Sequence, residues 1–137
     1  MAAEPIVVVG AAILDFAGGT PSVLAAQRAT PPELAGWWEF PGGKVEPVED
    51  ERVALARECR EELGVEVSVG DRLGPDLPIA DGRAVLRVWT ATVHHGRPRA
   101  IEHAAIRWLT ADRLHDVAWL PQDLPLVELL RPLLEPD

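Results

Sequence analysis

The chain alternates between apolar runs suited to strands and two stretches with helical periodicity. Ile6 to Leu14 is aliphatic and β-branched, and its length suits a buried strand. Gly18-Gly19 and Pro21 predict a turn, after which Ser22 to Arg28 predicts a second strand and hence a hairpin. Pro31-Pro32 and Gly36 mark a loop that continues through Trp37 to Gly43. From about Asp50 to Leu63 the spacing becomes helical: Leu55, Cys59 and Leu63 recur at i, i+4 and i+8, Ala56 sits beside them, and Gly64 is placed as the stop. Val65 to Leu73 alternates as a half-buried strand, Gly74 to Gly82 predicts a Gly/Pro-rich connection, and Ala84 to Val93 predicts a central strand turned by residues 94–98. A short strand, Ala105 to Leu109, follows. Thr110 is placed to cap a short helix from Ala111 to Leu114, and Leu124 to Leu134 predicts a closing amphipathic helix. Interleaved strands and helices without a repeat predict one α/β (α+β) domain with a mixed sheet, spanning residues 1–137.

Composition narrows the function classes. The 137 residues are 47% hydrophobic and 26% charged, which excludes a disordered chain and a disulfide-stapled miniprotein. A formal net charge of -9 argues against binding nucleic acid polymers, though not against a small anion received by a cation. The one cysteine, Cys59, makes no internal disulfide, and a reducing cytoplasm is the expected setting. The opening Met1-Ala2-Ala3-Glu4-Pro5 carries no basic n-region, and the first apolar run falls short of the roughly 20 residues of a membrane helix. No export and no membrane partner are therefore expected. Of 13 basic residues, Lys44 is the only lysine.

The candidate chemistry lies on the acidic helix. Glu58, Glu61 and Glu62, at i, i+3 and i+4, project from one helix face. Such a cluster suits a hard divalent cation, which takes oxygen ligands and bridges to phosphates; a solvated acidic face paired with Arg57 and Arg60 is the plainer alternative. Just before the helix, Pro41-Gly42-Gly43-Lys44 joins two glycines to the lone lysine, a combination suited to phosphate oxygens.

Gly43, Glu49, Arg57-Glu58, Cys59, Glu61-Glu62, Gly64 and Val65 stand at the spacing G-x5-E-x7-R-E-U-x-E-E-x-G-U, with U aliphatic, and this resembles a complete Nudix box over residues 43–65. Cys59 fills a usually aliphatic position, and Val48 stands where many members carry glycine. Trp38-Glu39-Phe40-Pro41-Gly42-Gly43-Lys44, Ala26-Gln27-Arg28 and Glu102-His103-Ala104-Ala105-Ile106-Arg107-Trp108 are similar to MutT-type nucleotide pyrophosphohydrolases.

The resemblance implies a mixed sheet sandwiched between helices (α/β/α) and cleavage of a nucleoside diphosphate linked to a group X, with Mg²⁺ or Mn²⁺. It implies Glu58, Glu61 and Glu62 as metal ligands, with a carbonyl of Gly42 or Gly43 adding another. Glu58, or else Glu102 from a later loop, would orient or deprotonate the attacking water. Arg57 and Glu49 are expected to pair and hold helix and loop in register. Lys44 and Arg28 are expected at phosphate or nucleotide, and Trp38 is the tryptophan placed to touch a base. His94, His95, His103 and His115 share no metal-ligand spacing and are expected in loop or structural roles. Asp123 stands where related enzymes that read oxidised guanine carry asparagine; ionised, it only accepts, which suits cytosine N4. Alternatively it caps the last helix. The expected substrate is thus CTP, dCTP or a modified pyrimidine nucleotide. Oxidised dGTP (nucleotide-pool sanitation) is the alternative, and a non-catalytic nucleotide-sensing module is the reading of another class. A monomer or homodimer acting on a small nucleotide completes the expectation.

Overall fold

The computed structural model describes residues 4–135, so Met1-Ala2-Ala3 and the last two positions of the expected 1–137 domain lie outside the described residues. Seven strands and two α-helices follow in the order β1 (Ile6–Asp15), β2 (Ser22–Gln27), β3 (Trp38–Glu39), β4 (Gly42–Lys44), α1 (Glu51–Leu63), β5 (Glu66–Ile79), β6 (Ala84–His95), β7 (Ala105–Thr110) and α2 (Leu124–Leu134). The sheet is mixed. β1 runs parallel to β6 from Ile6↔Ala84 to Ile13↔Ala91 and antiparallel to β4, while β5 pairs antiparallel with β6 at the edge. The β1–β2 hairpin forms only at Leu14↔Val23 and Asp15↔Ser22; β2 then pairs with β7 and β3.

Strand alternation creates two cores. Val9, Ala11 and Ile13 of β1 and Leu24 of β2 face α1, where they pack on Ala54, Leu55, Cys59 and Leu63. Ala12 and Leu14 of β1, with Val23 and Ala25 of β2, face α2 and pack on Leu126, Val127, Leu130 and Leu134. A helix thus covers each face, because neighbouring strand residues point to opposite sides. Among the described residues no helix is long and apolar enough to cross a membrane.

Three local expectations are corrected. Of the stretch 74–82 only 80–82 is a connection: β5 continues to Ile79, with Leu77↔Leu86 and Pro78↔Val85 paired after three irregularities. Pairing with β6 overrides the Gly/Pro signal, and an edge strand tolerates proline. Residues 38–39 and 42–44, expected within a loop, form β3 and β4. Thr110 makes no side-chain cap; its hydroxyl donates to Asp112 Oδ1 at 2.6 Å, and a 3-10 turn runs from Ala111 to Asp116.

Candidate active site

Helix α1 begins where Asp50, in extended conformation, accepts the Arg52 amide at 2.8 Å, and it ends at the left-handed Gly64, whose N–H returns to the Arg60 carbonyl. Between these caps the buried stripe Leu55, Cys59, Leu63 anchors the helix and fixes where the glutamates point. β4 pairs with β1 through Val9↔Gly43 and Gly10↔Gly42, and the Gly42 amide donates to Glu62 Oε2 at 3.1 Å. Loop and helix are therefore tied at both ends of the motif.

Arg57 is the hub. Its Nε and Nη2 donate to the two oxygens of Glu49 at 2.9 and 3.0 Å, Nη1 donates to Glu58 at 2.9 Å and Glu61 at 3.3 Å, and Nη2 also reaches the Lys44 carbonyl at 3.2 Å. The expected Arg57–Glu49 pair is present and bidentate. Hydrogen bonding to Arg57 holds the Glu49 carboxyl below its ordinary range. Glu58 is raised by burial, against the pull of Arg57, with Glu61 and Glu102 adding repulsion. Glu62, 8% exposed, is pushed up to about 8 by burial and then by Glu58 and Glu39, while the Gly42 amide opposes the shift.

The donor chemistry of this cluster fits a hard divalent cation: oxygen donors, like charges crowded together, and a buried carboxyl, Glu62, pushed up by burial and by its acidic neighbours. The ligand set is nevertheless not convergent. Among the described residues no three His, Cys, Asp or Glu side chains are grouped to hold a metal. Arg57 engages one oxygen of Glu58 and one of Glu61, and the Gly42 amide one of Glu62, so each carboxylate keeps a second oxygen; drawing them onto one ion takes side-chain rotation.

The segment after β6 supplies further groups. Its backbone docks on the end of α1, Arg99 N–H to the Leu63 carbonyl at 3.0 Å and Ile101 N–H to that of Glu62 at 3.2 Å. This carries the exposed Glu102 and the buried His103 to the helix. A cleft of about 100 Å³ there is lined by Arg28, Thr30, Glu39, Glu62, Glu102 and His103. A neighbouring one of about 150 Å³ is lined by Arg28, Glu39, Phe40, Gly42, Gly43 and Asp123 among others. Two roomier clefts of about 430 and 490 Å³, beside Phe16 and Trp108 and beside Leu129 and Leu133, contain none of the motif's carboxylates. Chemistry, rather than size, points to the smaller pair.

The remaining expected residues divide. Arg28 lines both clefts and donates to Glu39 Oε1 at 2.9 Å. Lys44 is exposed beside the Arg57 hub. Trp38 is not brought to the clefts: its side chain is buried in the α2-side core, and its backbone pairs with Ala118 and Leu120. The aromatic at the cleft is Phe40, tilted 40° against Trp119 at 5.1 Å. Asp123 is no helix cap. Its φ and ψ of −89° and −18° are helical, which an N-cap is not, and its side chain makes no cap bond. It is 2% exposed with Oδ2 unpartnered, and burial followed by Glu39 pushes it up to about 7 against the Phe40 amide.

Two residues at the site were not among those expected there. Glu39 accepts from Arg28 and His103 and lines both clefts. His103, expected in a loop or structural role, is buried against it. Alternation in β3 is the signal for Glu39, since Trp38 points into the core and its neighbour must point away.

A model of the NUDIX domain matches residues 4–130. A Mycobacterium tuberculosis protein whose name assigns it provisionally as an 8-oxo-dGTP diphosphatase is 54% identical over 105 residues, covering 74% of each chain. The Escherichia coli CTP pyrophosphohydrolase is 41% identical over 119 residues, covering 86% of each. Among solved structures, the E. coli ORF135 protein superposes with a TM-score of 0.77 at 37% identity, over 95% of this chain and 91% of that one.

Proposed function

The chain belongs to the NUDIX domain family and is a nucleotide pyrophosphohydrolase, a hydrolase of phosphoric anhydrides; from that premise we propose that it cleaves CTP, dCTP or a modified pyrimidine triphosphate to the monophosphate and pyrophosphate. The observation carrying this substrate is Asp123, a buried carboxyl with an unpartnered oxygen, lining the cleft beside the motif's glycines. As a carboxylate it accepts from the exocyclic amine of cytosine and repels the O4 acceptor of uracil.

In this reading Glu58, Glu61, Glu62 and Glu102, with the Gly42 carbonyl, hold the metal. Nudix hydrolases generally need a divalent ion, typically Mg²⁺ with Mn²⁺ as substitute, which polarises phosphoryl oxygens and acidifies water. Glu58 takes the water's proton at Oε2, since Oε1 is engaged by Arg57; Glu102 is the alternative base. Arg57 and Glu49 keep the helix and loop in register, and Lys44 and Arg28 receive phosphate. Trp38 stays in the core, leaving Phe40 as the aromatic beside the base. The chain acts as one domain over 1–137, in the cytoplasm, as monomer or homodimer, on small nucleotides rather than nucleic acid polymers.

One observation favours a second substrate. With Asp123 pushed up to about 7, its neutral form is present near neutrality and supplies a donor as well as an acceptor, as an amide would. That suits oxidised guanine, the substrate in the name of the M. tuberculosis relative. A non-catalytic sensing role is disfavoured because every glutamate of the motif is retained. Pyrophosphate release with Mg²⁺ from CTP, dCTP, UTP and 8-oxo-dGTP, run in ¹⁸O water, tests the proposal. Label in the monophosphate marks attack at the α-phosphorus and label in pyrophosphate attack at β; absence of turnover on all four overturns the reading.

A further inference from the structure

We propose that His103 is a positioning residue that holds Glu39 to receive the 3′-hydroxyl of the nucleotide's sugar. The inference rests on the reading that phosphates meet the glutamates of α1 and the base meets Asp123.

The two clefts share a wall. Glu62 and Glu102 line one, Phe40 and Asp123 line the other, and Arg28 and Glu39 line both. In a nucleotide the sugar is the part that joins phosphates to base, so a molecule spanning the clefts brings its sugar to that wall. Glu39 is the acceptor there. Arg28 Nη1 donates to its Oε1 at 2.9 Å and His103 Nε2 donates to its Oε2 at 3.0 Å. A carboxylate oxygen that accepts one such bond retains capacity for a second, which a hydroxyl can fill.

His103 has no other visible task. Its side chain is 6% exposed, Nε2 is committed to Glu39, and Nδ1 has no partner. Pairing with a carboxylate places the proton on Nε2. The imidazole is itself fixed by the backbone beside it, because Ala104 N–H donates to the Gln27 carbonyl at 2.8 Å. Glu39 is fixed from the other side by β3, where the Trp38 side chain is locked in the core. Three elements thus converge on one carboxylate.

The test compares dCTP with 2′,3′-dideoxy-CTP in wild type, His103→Gln and His103→Asn, at saturating Mg²⁺, and the 8-oxo-dGTP pair replaces them if that is the better substrate. A glutamine amide reaches the place of Nε2; an asparagine amide reaches only that of Nδ1. Wild type should favour the 3′-hydroxyl by roughly tenfold in kcat/KM, the loss expected when a buried partner is left unpaired. His103→Asn should collapse that preference to about twofold, mainly through KM, and His103→Gln should restore most of it. The half-saturating Mg²⁺ concentration should be the same in all three. If His103→Asn does not fold by thermal melting, His103→Leu is read in its place. An unchanged preference in the variant, equal use of both substrates by wild type, or a shifted Mg²⁺ requirement overturns the inference while leaving pyrophosphohydrolysis intact. If wild type hydrolyses neither nucleotide pair, the proposed function fails and this inference falls with it.

Discussion

Gly43 and Glu58 are in contact across the loop–helix junction: a Cβ built on Gly43 would lie 2.6 Å from the Glu58 carboxylate carbon. The glycine is needed less for a turn than to admit the glutamate. Its neighbour Gly42 is constrained differently, since a Cβ there would lie 1.9 Å from the backbone oxygen of Val9.

The two glycines should therefore fail in different ways. Gly43→Ala displaces only the end of a flexible side chain, so melting should shift little, while a carboxylate moved by about 1 Å lowers kcat roughly 100-fold. Gly42→Ala meets backbone and should cost more than about 3 kcal/mol, the range of strong overpacking. Circular-dichroism melts with turnover on the preferred nucleotide separate these outcomes; equal loss of stability in both variants would contradict the contact at Gly43.

Glu62→Gln should cut turnover and yet stabilise the metal-free protein. Glu62 is raised from 4.5 to about 8, so the native state keeps a proton that the unfolded state has lost. Stability tied to this group is full below about pH 4.5 and is lost as pH rises toward 8. Glutamine does not titrate. The variant's advantage in melting temperature, measured in EDTA, should be near zero at pH 4.5 and grow up to pH 8, with turnover down at least ~100-fold. An advantage that shrinks with pH would remove the assignment of a neutral Glu62.

Asp123→Asn should flatten a pH-dependent choice of substrate. In wild type the kcat/KM ratio of CTP to 8-oxo-dGTP should rise through about pH 7, as the neutral carboxyl gives way to the carboxylate. The asparagine variant should show no such rise and should lose cytosine preference by about 1–3 kcal/mol, the range of one base-edge contact. Equal loss toward CTP, UTP and 8-oxo-dGTP would make Asp123 a structural residue.

Val48 has φ of 59° with its side chain fully exposed, a left-handed conformation that costs a β-branched residue about 1–2 kcal/mol. Val48→Gly relieves that strain and loses no packing, while the greater freedom of glycine when unfolded returns about 0.5–1 kcal/mol. A rise in melting temperature of about 2–4 °C is expected. A fall would show that the valine makes a contact absent from this conformation.

Cys59 should report unfolding. Its thiol has no exposed surface and is pushed up to about 12 by burial and the nearby Glu62 and Glu58 carboxylates. At pH 8 a thiol reagent should leave the native protein unlabelled and modify it fully in denaturant. Labelling of the native state at the rate of a free cysteine would contradict the packing under α1.

Features that depend on near neighbours along the chain are legible in the residues alone. Helix α1 is bounded by Asp50 and Gly64, its stripe Leu55–Cys59–Leu63 is buried, and Leu124–Leu134 is the last helix, because capping and periodicity are local. The spacing of Arg57, Glu58, Glu61 and Glu62 likewise marked the family and its chemistry. Tertiary structure decided what depends on distant partners. Residues 74–79 became strand because β6 offered hydrogen bonds that outweigh Gly74 and Pro78, and Trp38 went to the core because β3 pairs with β2. Glu39 joined the site because Arg28 and His103 meet it from elements far apart in sequence. The protonation of Asp123 and Glu62 was decided there too, since a carboxyl's charge depends on how much water and how many other carboxylates surround it, and neither is written in its neighbours along the chain.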